Sequence, residues 1–239
     1  DITKDRKVKS VAITYTNNDY GKGLADVYKA AVEAHGIKVT TVTAHEDGKA
    51  DYSSEVGVLG SAGGDALVVI GYLDQGGKGM IEAALDSGSF DLFVLSDGMI
   101  GQSIADAIGA DLNGSFGSLP GTVSEGAAQF AAISGDIDAT APYAGESYDA
   151  AALIILAMQA GGSADRMSVV SNIKKVANAP GEQILPGELA KGLSILASGG
   201  DIDYQGATDV ELSTFGDAAG SFKEVEVQGG KFEMIQIRN

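Results

Sequence analysis

Three short loops carry the side chains best suited to holding a small charged molecule. Asn18-Asp19-Tyr20-Gly21-Lys22-Gly23, Gly71-Tyr72-Leu73-Asp74 and Ser96-Asp97-Gly98 each set a phenol or a carboxylate beside glycine. Two tyrosines offer hydroxyls and flat apolar faces, and a carboxylate pairs with an ammonium. Converging on one crevice, they would suit an amine-bearing ligand. The alternative is that they are loop residues packing locally.

Other patterns promise chemistry and fail on spacing. The run from Gly71 to Gly79 mimics a phosphate-binding loop, but it is one residue too long. Gly79 follows Lys78 where a Mg²⁺-binding hydroxyl is needed. Asp201-Ile202-Asp203-Tyr204-Gln205-Gly206 begins like a calcium loop, yet position 12 would be Leu212 rather than a bidentate glutamate, so a solvated turn is expected. Gly145-Glu146-Ser147-Tyr148-Asp149 lacks the second glycine of a nucleophile elbow. His35 and His45 lack metal-ligand spacing and read as solvated surface residues. With no cysteine in the chain, thiolate chemistry and disulfides are excluded. The expectation is no catalytic residues, no metal and no cofactor.

The elements that must position the three loops follow from periodicity. Val11-Ala12-Ile13-Thr14-Tyr15 reads as a buried strand ending in Asn17-Asn18-Asp19, which suits a turn and helix cap. Leu24, Val27, Tyr28, Ala31 and Val32 then share one helical face, closed by Gly36. Strands are predicted over 37–42, 67–70 and 92–95. Helices are predicted from a cap at Asp51 through 59, over 78–87, and near 104–108. Regular alternation implies right-handed βαβ units and a parallel sheet covered on both faces. Ligands of such sheets bind outside the carboxyl ends of the strands, where Tyr20, Tyr72 and Asp97 fall. The second half differs. A strand and crossover over 116–123 precede helices over 147–160, 167–178 and 186–197, the last with Pro186 at its first position. Val225, Val227, Phe232, Met234 and Ile235 then suggest a hairpin around Gly229-Gly230. This half has too few strands for a sheet of its own.

Composition narrows the class of partner. A net charge of −17 argues against nucleic acid and anionic membranes, which need a basic surface. Hydrophobic residues at 44% exclude a disordered chain. The longest apolar run, 150–158, is far short of the roughly 18 to 20 residues a membrane span needs. The first residues lack a charged-then-apolar signal pattern, so any signal is expected to have been removed, or the chain to begin mid-protein.

Five segments in order resemble the type I periplasmic binding proteins, specifically the leucine/isoleucine/valine-binding group that serves ABC importers. They are Val11-Ala12-Ile13 with Asp19-Tyr20-Gly21-Lys22-Gly23-Leu24; Asp51-Tyr52-Ser53; Ala141-Pro142-Tyr143; Ser147-Tyr148-Asp149-Ala150-Ala151; and Ile202-Asp203-Tyr204-Gln205-Gly206-Ala207. The resemblance implies an α/β fold of two doubly wound parallel-sheet lobes joined by three crossovers and closing on an amino acid. Residues 1–118 with 220–239 would form lobe 2, and 119–219 the later part of lobe 1. It also implies roles: Tyr20 as a pocket wall, Tyr72 as a hydroxyl or ring contact, Asp97 as partner of the α-ammonium, and Tyr143 as an aromatic from the other lobe. Aspartate where the family has more often glutamate shortens the reach by a methylene.

The implied protein is a periplasmic, non-enzymatic carrier that delivers an amino acid, branched-chain or otherwise aliphatic, to ABC permease subunits. Amides, urea and aromatic acids are other ligands of such proteins, and a receptor's sensor domain would share the same pocket. The family's first segment, with its contacts to the α-carboxylate, has no counterpart before Asp1. The expectation is therefore that lobe 1 is incomplete, that the chain self-associates or keeps a bound N-terminal fragment, and that alone it binds poorly.

Overall fold

The computed structural model describes residues 2–238. The chain divides into two compact units: Asp1–Leu119 with Lys223–Gln236, and Pro120–Phe222 with Ile237–Asn239.

The first unit opens with the short helix α1 (Ile2–Asp5) and then alternates. Its elements are β1 (Ser10–Thr16), α2 (Asp19–Ala34), β2 (Lys38–His45), α3 (Ser53–Ala62), β3 (Ala66–Ile70), α4 (Lys78–Asp86), β4 (Phe93–Leu95), α5 (Gln102–Ile108) and β5 (Phe116–Pro120). The chain's last two strands, β10 (Phe222–Gln228) and β11 (Lys231–Arg238), form the hairpin expected around Gly229-Gly230 and extend the same sheet. The strand order is β11-β10-β5-β4-β3-β1-β2, with β2, β1, β3, β4 and β5 running parallel to one another. The chain reverses its direction of travel across the sheet between β1 and β3, the switch point where a crevice opens at the carboxyl edge.

Alternation along the strands feeds two cores. Ala12, Leu67, Val69, Phe93 and Leu95 pack on one face against Val56 and Leu59 of α3, Met80, Ile81 and Ala84 of α4, and Ile104 of α5. Val11, Ile13, Val68, Ile70 and Val94 pack on the other against Ala25 and Val32 of α2. With both faces covered, the inner strands β1, β3 and β4 are buried almost residue by residue, which is why they read as continuous apolar runs. Arg6 holds the hairpin side of this unit. Its guanidinium pairs with Glu226 and, at 3.1 Å, with the buried Glu224. Burial pulls its pKa down, but the bonds to both glutamates outweigh that and hold it above its ordinary value.

The second unit is mainly helical: α6 (Glu125–Ile133), α7 (Ala144–Gly161), α8 (Arg166–Ala177) and α9 (Leu189–Ala197), with β6 (Glu182–Ile184) parallel to β7 (Ile202–Tyr204) and β8 (Glu211–Leu212) antiparallel to β9 (Ala218–Ala219). Leu153, Leu156, Val176, Ile184, Ile202 and Tyr204 form its core. On the opposite faces of α7 and α8, Ile154, Ile155, Met167 and Val170 are exposed.

Two local expectations are corrected here. Pro186 does not begin a helix: α9 starts at Leu189, because Glu188 folds its carboxylate back onto Leu185 N at 3.0 Å and closes a turn first. The 201–206 run is a strand followed by a turn. Ile202 and Tyr204 are each 1% exposed, a period-two burial concealed by the intervening acids.

The second unit also contains a buried polar clasp. Asp149 of α7 is 2% exposed. Its Oδ1 accepts from Tyr204 Oη and Ala207 N, both at 2.8 Å, and its Oδ2 from Thr208 N at 2.8 Å and Thr208 Oγ1 at 2.7 Å. Burial, then the Asp149 charge and hydrogen bond, raise the Tyr204 pKa far above its ordinary value. Two of the five landmark segments are thus one interaction seen from its two ends.

Candidate functional site

The β1–α2 loop is shaped by its cap and its glycine. Asn18 is the N-cap of α2 and accepts from Gly21 N at 2.9 Å, which sets Tyr20 in the first turn. Gly21 is required for space, since a Cβ there would lie 2.1 Å from the Thr16 carbonyl oxygen. After β3, the carbonyl of Tyr72 accepts from the amides of Gln75, Gly76 and Gly77 at 3.1–3.4 Å, a π-helical turn over Leu73–Gly77 that leads into α4. Such wide turns are often found at functional positions. After β4, Asp97–Met99 forms a single 3₁₀ turn. Gly98 sits under the Gly71 carbonyl, where a Cβ would approach to 2.4 Å.

Tyr20, Tyr72 and Asp97 meet at this edge. The Tyr20 and Tyr72 rings stack with centroids 5.2 Å apart and planes 25° apart. Tyr20 Oη donates to Asp97 Oδ1 at 2.7 Å and lies 3.2 Å from Ser96 Oγ. All three side chains are half-buried. The Tyr20 phenol is pushed up to about 12, by burial first and then by its bond to the Asp97 carboxylate. Tyr20 is therefore a neutral donor at neutral pH that holds the carboxylate in place, a role the reading of it as pocket wall did not include. Tyr143 lies in the second unit, immediately before α7, exposed and with a left-handed φ of 64°.

Ser96 and His45 escaped the reading of the sequence. Ser96 accepts from Gly71 N at 3.3 Å and so joins the β3 and β4 loops; nothing in a lone serine at a strand end signals that. His45 is not a surface residue. It ends β2, is 1% exposed, and its Nδ1 lies 2.8 Å from Thr14 Oγ1. Its ring meets Tyr52 edge-on at 6.2 Å, and its Nε2 lies against Gly71. The polar run that follows it, Glu46-Asp47-Gly48-Lys49, disguised the end of a paired strand as loop.

Burial holds His45 below its ordinary pKa, against the opposing influence of Asp47, Glu55 and Glu46. As the pH falls below about 6.5, the unfolded chain takes up a proton that the folded unit refuses. The stability contributed by neutral His45 is therefore complete above that pH and is lost as the pH falls through the lowered folded value. Urea unfolding at pH 7.5 and 5.0 should show a larger loss for the wild type than for His45→Asn, with a slope of up to about 1.4 kcal/mol per pH unit per proton. Equal losses in the two proteins would remove His45 from the acid response.

Among the described residues no group of three or more His, Cys, Asp or Glu could hold a metal ion. No helix among them is long and apolar enough to cross a membrane. The two loops at the switch point of the parallel sheet, with a carboxylate beside stacked phenols, lie at the edge where open α/β sheets generally take their ligands.

The chain belongs to the periplasmic binding protein family, whose model matches residues 1–190. A Leu/Ile/Val-binding protein homologue of Brucella melitensis is 38% identical over 76 residues, covering 32% of this chain and 21% of that protein. A leucine binding protein of Thermotoga maritima superimposes with a TM-score of 0.75 at 21% identity, over 99% of this chain and 62% of the other. A branched-chain amino acid transporter substrate binding protein of Streptococcus pneumoniae, solved with isoleucine, gives 0.69 at 17% identity, over 99% and 61%. A solute binding protein of R. palustris, solved with 4-hydroxybenzoate, gives 0.73 at 17%, over 99% and 62%. The fold is that of the type I periplasmic binding proteins, a family of binding proteins and not of enzymes. The chain spans about three fifths of the length of these solved structures.

Proposed function

We propose that this chain is the ligand-holding part of an extracytoplasmic solute-binding protein that captures an amino acid, branched-chain or otherwise aliphatic, for the membrane subunits of an ABC importer. The observation that carries this reading is the Asp97 carboxylate, held by Tyr20 beside the stacked pair of phenols at the sheet's carboxyl edge. In this proposal Asp97 pairs the α-ammonium, Tyr20 orients Asp97, Tyr72 supplies a ring contact, and Tyr143 supplies a further aromatic contact. The Leu/Ile/Val-binding homologue in Brucella supports the aliphatic preference. The stacked rings and the likeness to the 4-hydroxybenzoate-bound protein favour a second reading, an aromatic acid. Asp97 weighs against it, because a fixed carboxylate repels an anion that carries no ammonium.

A thermal-shift screen of the protein at its full natural length separates the two. The probes are leucine, isoleucine, valine and the other amino acids, with amides and 4-hydroxybenzoate alongside. A ligand bound only by the folded state at 100 times its Kd adds about 2.7 kcal/mol of stability, which is readily seen. Leucine, isoleucine or valine should raise the melting temperature. A shift with 4-hydroxybenzoate or an amide and none with any amino acid would overturn the assignment.

A further inference from the structure

The Tyr20 hydroxyl has one proton and two oxygens within reach of it, Asp97 Oδ1 at 2.7 Å and Ser96 Oγ at 3.2 Å. The shorter contact is charge-assisted and takes the larger share of the proton. Ser96 Oγ accepts from the same Tyr20 O–H in the longer, shared contact. Ser96 Oγ meanwhile accepts from Gly71 N at 3.3 Å. A connected chain of bonds results: Ser96 Oγ receives both the Gly71 N–H and the Tyr20 O–H, and the Tyr20 O–H is held chiefly by the Asp97 carboxylate.

The frame that holds Ser96 is fixed. Its amide donates to the Val69 carbonyl at 3.1 Å and its own carbonyl accepts from Met99 N at 2.9 Å. Its hydroxyl oxygen therefore touches both the β3 loop bearing Tyr72 and the phenol that holds Asp97. We propose that Ser96 is a positioning residue of the ligand site: its hydroxyl oxygen accepts from both Tyr20 and Gly71 and ties the Tyr20–Asp97 pair to the Gly71-Tyr72 loop, so that the carboxylate is presented to a ligand's ammonium in one orientation. The proposal rests on the reading of Asp97 as the ammonium's partner.

The test compares Ser96→Ala and Ser96→Thr with the wild type in the full natural protein. Titration calorimetry uses leucine and a neutral analogue lacking the amino group, 4-methylpentanamide. Ser96→Ala should weaken leucine by about 10- to 100-fold, the effect of losing one hydrogen bond that acts on a charged group. Its effect on 4-methylpentanamide should be less than about threefold, since that ligand offers Asp97 no ammonium. Ser96→Thr, which keeps the hydroxyl, should restore leucine binding. A purely structural role would weaken both ligands alike, and that outcome overturns the proposal.

A ligand-free readout keeps this test separate from the reading it rests on. Amide exchange at Gly71 should accelerate in Ser96→Ala and return to the wild-type rate in Ser96→Thr, while Val69 and Leu95 stay unchanged. If leucine does not bind the wild type, the ammonium reading falls and the positioning role falls with it, whereas the exchange data still decide whether the chain of bonds exists. Unchanged exchange at Gly71 overturns the chain itself.

Discussion

Asp97→Asn is expected to weaken amino-acid binding by about 30- to several-thousand-fold, the cost of removing one partner of a desolvated charge pair. The substitution is nearly isosteric, and the amide oxygen can still accept from Tyr20, as Asp97 Oδ1 does at 2.7 Å. The stacked rings and the Gly98 approach to Gly71 should therefore persist, leaving the melting temperature of the ligand-free protein almost unchanged. Only the charge is lost. The other acidic side chains of this −17 chain do not replace it, because exposed charges beyond about 10 Å are largely screened at moderate salt. Calorimetry on the folded variant decides the matter. Affinity equal to the wild type would reduce Asp97 to a loop residue whose task is to hold Tyr20.

How much of this site was legible depends on what each residue's signal was. Tyr20, Tyr72 and Asp97 could be placed together because strand alternation puts their loops at one sheet edge, whatever the side-chain detail. The bond that makes Tyr20 a support for Asp97 is created by the fold, since nothing in the spacing of residues 20 and 97 encodes a contact. Ser96 is a serine among many. His45 was hidden by its neighbours: β2 continues through Thr43 and Ala44, whose pairing to Thr14 and Tyr15 rests on backbone hydrogen bonds rather than on apolar periodicity. The same cause explains β7, where acids at 201 and 203 mask two buried side chains. Pro186 carried a real preference for the first turn of a helix, but a local hydrogen bond to Glu188 delayed the helix by one short turn. In each case a specific polar contact overrode a pattern.

Asp149→Ala should produce the largest loss of stability, about 3 to 5 kcal/mol in the second unit, since buried donors left without acceptors cost about 1 to 3 kcal/mol each. The alanine strands the Tyr204 hydroxyl and the amides of Ala207 and Thr208 together. Tyr204 cannot escape to water without leaving the core it shares with Leu153 and Ile184. Asp149→Asn should fall between. One amide oxygen still accepts, but the new NH₂ group would face the Thr208 amide, donor against donor. The pair of variants therefore distinguishes a shape effect from an acceptor effect, because asparagine keeps the volume and loses half the acceptors. Urea unfolding of both, with hydrogen exchange across Ala144–Gly161 and 202–212, should show the ranking wild type, asparagine, alanine, with protection lost at both ends of the clasp together. If alanine and wild type unfold at the same urea concentration, the Asp149 carboxylate contributes nothing net, and the two landmark segments are held by the apolar packing of α7 against β7 alone.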